Sequence, residues 1–404
     1  MRLSTANLYD TSIANLQRRQ QSLAQQQEQL TSGKRVQLAS DDPTGAARAE
    51  RALAAIGRVD ANQRALEASR NSMTLAESAL GDANELLQQA RETMVAAGNA
   101  SYSDAERLGL ANKLQGIRDQ LLTVANRPDG AGGYVFSGQG SANPPFLDQP
   151  GGVTYVGVPG TVQTGNMDKF QLTVDGRAAW EQSRSGNGTF VTDANPNSID
   201  PTQAAKAWID SGRVTDPTKL TGQNYRVDIA GTAPAQTYTV TNTDTGTGVS
   251  SGTYSSGQAI AFDGISVTVS GTPADGDNFS IAPATNSLKV FDVLDRAIAE
   301  LKTPSRNGAQ IQQSNTGRIR DLDDVMGTLQ SARSQVGEQL NNLDGTETRL
   351  AALKQYSTEE KSAAEDLDMV QGISDFQNQQ SGYDTALKTY AMVQRMSLFQ
   401  YISG

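Results

Sequence analysis

Neither cysteine nor histidine occurs anywhere in the 404 residues. The first absence excludes disulfides, iron–sulfur clusters and thiol nucleophiles. The second removes His-based zinc sites, Ser-His-Asp triads and imidazole acid–base chemistry. The chain is therefore expected to be no enzyme, with no cofactor and no metal site. No apolar run approaches the roughly 18 residues of a membrane span, and the N-terminus lacks the basic-then-apolar pattern of a secretory signal. By the usual routes such a chain stays in the cytoplasm. A formal charge of −10 leaves no basic patch for nucleic acid or an anionic membrane surface, so neither is expected as a partner.

What is present is helical periodicity. Val59, Leu66, Met73, Leu80, Leu87 and Met94 recur every seven residues, with the small Ala76, Ala83, Ala90 and Ala97 three positions after the last four. That alternation specifies one long helix packed closely against others. Asp42-Pro43 supplies its start, a capping carboxylate followed by proline at the first helical position. A helix from Pro43 to about Ala97 measures about 80 Å. Ser103-Asp104-Ala105-Glu106 is a capping box opening a second helix, with Leu110, Leu114, Ile117, Leu121 and Val124 on one face. Late in the chain Phe291, Leu294, Ile298 and Leu301 mark a helix ended by Pro304. Leu322, Leu329, Val336, Leu343 and Leu350 then mark another heptad helix. Its carboxylates Asp321, Asp323 and Asp324 are expected on a solvated face.

Between about residues 141 and 285 the composition turns to Gly, Thr and Ser. Strand-like alternation appears at Gln171–Val174, Tyr225–Ile229, Tyr238–Thr241 and Ile265–Val269. A short helical patch near Ala204 to Ile209 is expected to divide this region into two lobes, the second starting near Gly212. Thirteen Asp/Glu against seven Lys/Arg give the region a charge of −6, as suits a lobe facing water. Asp275-Gly276-Asp277 reads as a turn, since its surroundings do not supply the oxygen ligands of a calcium loop. Gly33-Lys34 lacks the upstream glycine of a phosphate loop. Gly130, Gly132, Gly133, Gly138 and Gly140 do not have dinucleotide-fingerprint spacing, and turns with a hairpin around Tyr134-Val135-Phe136 are expected instead.

The two ends of the chain carry matching seams. Ile13, Leu16, Gln20, Leu23, Gln27 and Leu30 recur at three and four residues, as do Ile373, Phe376, Gln380, Tyr383, Leu387, Tyr390 and Gln394. Residues 1–40 hold five Lys/Arg and two Asp/Glu (+3); residues 365–404 hold two and five (−3). The ends are thus expected to pair, charge selecting the partner more than stabilising it. The fold expected is α+β, a long coiled-coil-like helical rod built from both chain ends with a β-rich domain inserted in the middle. Its parts are a terminal helical domain (1–40 with 365–404), a rod with a β-hairpin (41–140 with 286–364) and the insert (141–285).

Several stretches resemble the bacterial flagellin family: Met1-Arg2-Leu3-Ser4-Thr5, Leu30-Thr31-Ser32-Gly33-Lys34-Arg35-Val36 with Ser40-Asp41-Asp42-Pro43, and Asp119-Gln120-Leu121-Leu122 leading to Ala125-Asn126 and Tyr134-Val135-Phe136-Ser137-Gly138. The ending Val393-Gln394-Arg395-Met396-Ser397-Leu398-Phe399-Gln400-Tyr401-Ile402 is more similar to hook-associated members than to filament flagellin. Tyr238–Thr241 and Phe262-Asp263-Gly264-Ile265 are similar to a module of some hook-associated proteins. The resemblance implies a structural subunit of the flagellum, lying outside the cell at the junction of hook and filament and exported unfolded without a cleaved signal. Its implied partners are copies of itself in a ring, another hook-associated protein, flagellin and a cytosolic export chaperone. The assembly interface is expected at Ile13, Leu16, Leu23, Leu30, Ile373, Phe376, Tyr383, Leu387, Tyr390 and Phe399, with the chaperone on Phe376, Tyr383, Leu387 and Tyr390. Filament flagellin is the nearest alternative. More distant ones are a binding or adhesive insert, or a glycosidase using carboxylates such as Asp175 and Glu181.

Overall fold

The computed structural model describes the backbone of residues 2–140, 142–194 and 206–402, and the side chains among these from 10 to 392. They form two compact units, residues 1–64 with 345–404, and residues 65–344. Helix α1 spans Arg2–Ser32, α2 Pro43–Ala97 and α3 Asp104–Ala125; α5 spans Val290–Lys302, α6 Gly308–Glu365 and α7 Met369–Ile402. A six-residue helix, α4, covers Gly176–Glu181. No helix among the described residues is long and apolar enough to cross a membrane.

In the unit of residues 65–344 the heptads form the core. Leu66, Met73, Leu80 and Leu87 are wholly buried, as are Ala76, Ala83 and Ala90 between them. From α6 come Leu322, Val325, Leu329 and Val336, and from α5 Phe291, Leu294 and Ile298. The capping box forms as its sequence implies, Ser103 Oγ accepting from Glu106 N–H while Glu106 accepts from Ser103 N–H. A hairpin of β1 (Phe146–Gln149) and β2 (Gly152–Tyr155) closes one side of this core. Phe146 packs there against Trp180, whose ring stacks on Phe291 at 5.9 Å and 8°. Arg118 on α3 pins the arrangement, donating to both oxygens of Asp148 at 2.7 and 2.8 Å and also to Asp295 on α5. Around Tyr134–Phe136, in contrast, the expected hairpin reduces to an isolated bridge between Pro128 and Tyr134.

The β-rich stretch builds a second apolar core. One sheet has the order β10-β9-β8-β13-β5, made from Thr247–Thr253, Thr237–Asn242, Tyr225–Ala230, Asn278–Pro283 and Phe190–Ala194. The other sets β11 (Ala259–Phe262) and β6 (Lys206–Ile209) on either side of β12 (Ile265–Thr272), with β7 (Arg213–Val214) also on β12. Phe190, Ile209, Val227, Val240, Val267 and Phe279 meet between the sheets. A small pair, β3 (Gln163–Thr164) with β4 (Phe170–Gln171), lies ahead of α4; the alternation over 172–174 does not extend the strand.

The helical patch expected near Ala204–Ile209 is a strand where it is described, while residues 204 and 205 lie outside the described residues. Ala207 and Ile209 point inward, Lys206 and Trp208 less so, and Ile209 pairs with Val269. A period of two against a waiting strand outweighs the helical propensity of an alanine-rich run. Strand pairings also run across residue 212, β5 onto β13 and β6 onto β12.

Candidate assembly interface

In the unit formed by residues 1–64 and 345–404, the chain leaves α1 at Gly33, whose φ of +70° suits glycine. It then crosses the segment that leads into α7. Arg35 N–H donates to Glu365 O at 2.7 Å, and Leu367 N–H donates to Gly33 O at 2.9 Å, a two-sided main-chain bridge. The Arg35 guanidinium donates to Ala364 O at 2.9 Å and to Asp42 Oδ2 at 3.2 Å. Lys34 lies 3.3 Å from Glu365. Asp42 caps α2 through the N–H groups of Thr44 and Gly45. Gly45 N–H, then the Thr44 hydroxyl and Arg35, hold the Asp42 carboxyl down at about 2. The Gly33-Lys34-Arg35 and Asp41-Asp42-Pro43 motifs are thus the two sides of one crossing.

Helices α1 and α7 pack antiparallel. A Cβ on Gly372 would stand 3.3 Å from Leu30, and one on Gly382 would stand 2.7 Å from Arg19, so the contact runs backward along α1 as it runs forward along α7. Glycine at these points lets the helices approach closely. The half-buried positions of α7 are Gly372, Asp375, Phe376, Gln379, Gly382, Tyr383, Ala386 and Tyr390. Among the described side chains of α1 (from residue 10) and of α7 (to residue 392), none is buried.

The expected interface residues fall into two groups. Leu16, Leu23, Leu30, Phe376, Tyr383 and Tyr390 are half-buried in the helix pair. Ile13, Ile373 and Leu387 are 41 %, 47 % and 41 % exposed. Gln20, Gln27 and Gln380 also face solvent. The α7 stripe that sequence periodicity treats as one seam is therefore split, half of it turned to α1 and half outward. The side chain of Phe399 lies outside the described residues. Sequence reasoning missed Gly372, Gln379 and Ala386 on the inner face; their seven-residue spacing was the available signal.

Carboxylates singled out earlier serve structural ends or sit in unexpected places. Asp175 caps α4 through Arg177 and Ala178 N–H, and Glu181 at the other end of α4 accepts from Tyr155 N–H. On α6 the solvated face holds only for Asp323, which pairs with Arg91 at 2.6 Å. Asp321 is buried, pairing with Arg318 and Arg320 at 3.0 and 3.1 Å. Asp324 lines a cleft of about 740 Å3 between α6 and the β4–α4 segment. Its Oδ2 is buried without a hydrogen-bond partner, and burial pushes its carboxyl up to about 7, Arg320 opposing. The elements laid against α6 cover a face that heptad phase alone assigns to water. Among the described residues no cluster of three acidic side chains has metal-binding geometry.

Residues 3–141 match the bacterial flagellin N-terminal helical region, and residues 197–283 match a D2-like domain of flagellar hook-associated protein 1. Along almost its whole length the chain is similar to flagellar hook-associated protein 3 of Escherichia coli, at 26 % identity over 99 % of both chains. The crystal structure of the flagellar junction protein from Legionella pneumophila superimposes with a TM-score of 0.69 at 27 % identity, covering 79 % of this chain and all of that one. The chain thus carries a flagellin-type N-terminal region and is similar over its whole length to hook-associated protein 3. Its likeness to filament proteins is shorter: flagellin E of Vibrio cholerae matches at 32 % identity over 29 % of the chain and 31 % of its own length. The crossing at Gly33–Arg35 and the capping Asp42 lie inside the stretch matched to the flagellin N-terminal region.

Proposed function

We infer that this protein is a structural subunit of the bacterial flagellum, joining hook to filament by self-assembly through its terminal helices. The observation that carries this reading is the absence of any buried side chain along the described parts of α1 and α7. Two helices that pair yet leave Ile13, Ile373 and Leu387 41–47 % exposed have apolar area still to bury, worth about 1 kcal/mol for each such side chain when covered. Repeated around a ring of identical subunits, that term favours assembly. Residues 1–40 with 365–404 act as the assembly domain, 41–140 with 286–364 as the helical support and 141–285 as the insert.

On this reading the protein is exported unfolded, without a cleaved signal, to its place outside the cell. One face of the ring meets another hook-associated protein and the other meets flagellin. Before export a cytosolic chaperone covers Phe376, Tyr383, Leu387 and Tyr390 on α7. The lack of cysteine suits a chain that crosses a narrow channel unfolded, because no disulfide can trap it.

The test replaces an outward side chain. Leu387→Asp leaves the α1–α7 contact intact, so monomer helicity is expected to match wild type while ring formation on isolated hooks, seen by electron microscopy, is lost. Rings forming normally with Leu387→Asp would overturn the assignment of this face. Purified wild-type protein growing into long filaments on its own would favour filament flagellin instead.

A further inference from the structure

The β-rich module, described over residues 190–194 and 206–283, meets α5 and α6 largely through polar groups. The two apolar cores are separate clusters, and the contact zone between them contains a cavity of about 110 Å3. On the module side it is lined by Thr192 and Asp193, and on the helical side by Arg296, Glu300, Arg318 and Asp321. A direct tie crosses beside it: Ile209 N–H donates to the buried Gln313 Oε1 at 2.8 Å. Arg318 stands 3.6 Å from Glu300 and 3.0 Å from Asp321, but its Nε and Nη1 make no aligned hydrogen bond. Glu300 Oε2 and Arg320 Nε are likewise buried without a hydrogen-bond partner. The lining also includes Val191 and Leu288, but a cavity of this size beside several unsatisfied polar groups is suited to hold water.

We propose that this contact is a hydrated, proton-linked joint, in which Glu300 takes up a proton when the module is seated and releases it when the module swings away. The Glu300 side chain is largely covered, its Oε2 is buried without a hydrogen bond, and desolvation penalises its charged form. Burial raises the Glu300 carboxyl above its usual value of 4.5, with Arg318 and Arg306 opposing the shift and Asp321 and Asp193 adding to it. The charged groups around it are Arg296 on α5, Arg306 ahead of α6, Arg318, Arg320 and Asp321 on α6, and Asp193 on β5. Once the module leaves, Glu300 meets water and its proton affinity falls. Linkage fixes the sign: seating strengthens as pH falls through the raised value toward 4.5, and weakens as pH rises. This inference is independent of the role assigned to α1 and α7.

The absence of native cysteine makes the test direct. Spin labels on Ser251→Cys in the module and Gln330→Cys on α6, both exposed positions, report the seating distance in the full-length protein. One narrow distance is expected at pH 5, with a second, displaced population at pH 8. Glu300→Gln, which mimics the protonated group, is expected to stay narrow at both. Gln313→Leu, which removes the direct tie, is expected to broaden the distribution even at pH 5. A wild-type distribution unchanged between pH 5 and 8, or a pH response that persists in Glu300→Gln, would overturn the proposal.

Discussion

Asp324 has a measurable signature of its own. Its carboxyl titrates near 7 in the fold and near 3.8 when exposed, so between about pH 4 and 7 the folded state binds more protons than the unfolded one. Stability must then fall as pH rises through that window. Asp42 acts in the opposite sense, its depressed value adding stability that is lost only as pH drops from about 4 to 2. Asp324→Asn is expected to reduce the slope of urea midpoint against pH between 4 and 7, leaving behaviour below pH 4 unchanged. An identical slope in the variant would show that Asp324 does not hold its proton in the fold. Neither the burial of Asp321 nor the half-burial of Asp324 was legible in the sequence. The three acids read as a charged helix face, and nothing in their spacing records that α5, the insert and the β4–α4 segment lie across it.

Elements were legible wherever one period dominates. The heptads of α2 and α6 give helices whose long apolar residues are buried, because spacing alone decides which side chain faces a partner helix. Leu80 is fully buried whereas Leu75, five residues earlier on the same helix, is 36 % exposed. Leu80→Ala is expected to cost about 2–5 kcal/mol, since the surrounding core cannot close the space left behind. Leu75→Ala is expected to stay within about 0.5 kcal/mol. Comparing the two in denaturant titrations, with equal costs as the adverse result, tests whether the heptad phase sets the core. Where two faces compete, periodicity loses its power. Helix α7 carries apolar residues both at Phe376, Tyr383 and Tyr390 and at Ile373 and Leu387, and the row that meets α1 is the one that shares a face with Gly372, where a Cβ would crowd Leu30. The run Ala204–Ile209 was misread for a related reason: its alanines suit a helix, while over Lys206–Ile209, where it is described, the strand that claims it lies some sixty residues downstream.

For the molecule as a whole, stability is expected to be uneven. Apolar side chains along the described parts of α1 and α7 are half-buried or exposed, whereas α2, α3, α5 and α6 share a core with fully buried Leu, Met, Phe and Ala. Local opening follows the density of buried contacts. Brief trypsin treatment of the monomer is therefore expected to cut at Arg18, Arg19 and Lys388 before any site between residues 65 and 344, as read by mass spectrometry. Simultaneous cleavage in both units would show that the helix pair is as firmly closed as the core, and would remove the main support for assembly by this face.

The crossing of Gly33–Arg35 with Glu365–Leu367 also bears on synthesis at the ribosome. Its two halves are some 330 residues apart, and bringing them together costs about 5 kcal/mol in closure entropy. Until the later half has been translated, α1 has no lane to lie in and the first cap has no cross-tie. A prematurely terminated polypeptide can complete its β module yet never fasten this clasp, so the fold carries an intrinsic mark that distinguishes finished chains from aborted ones.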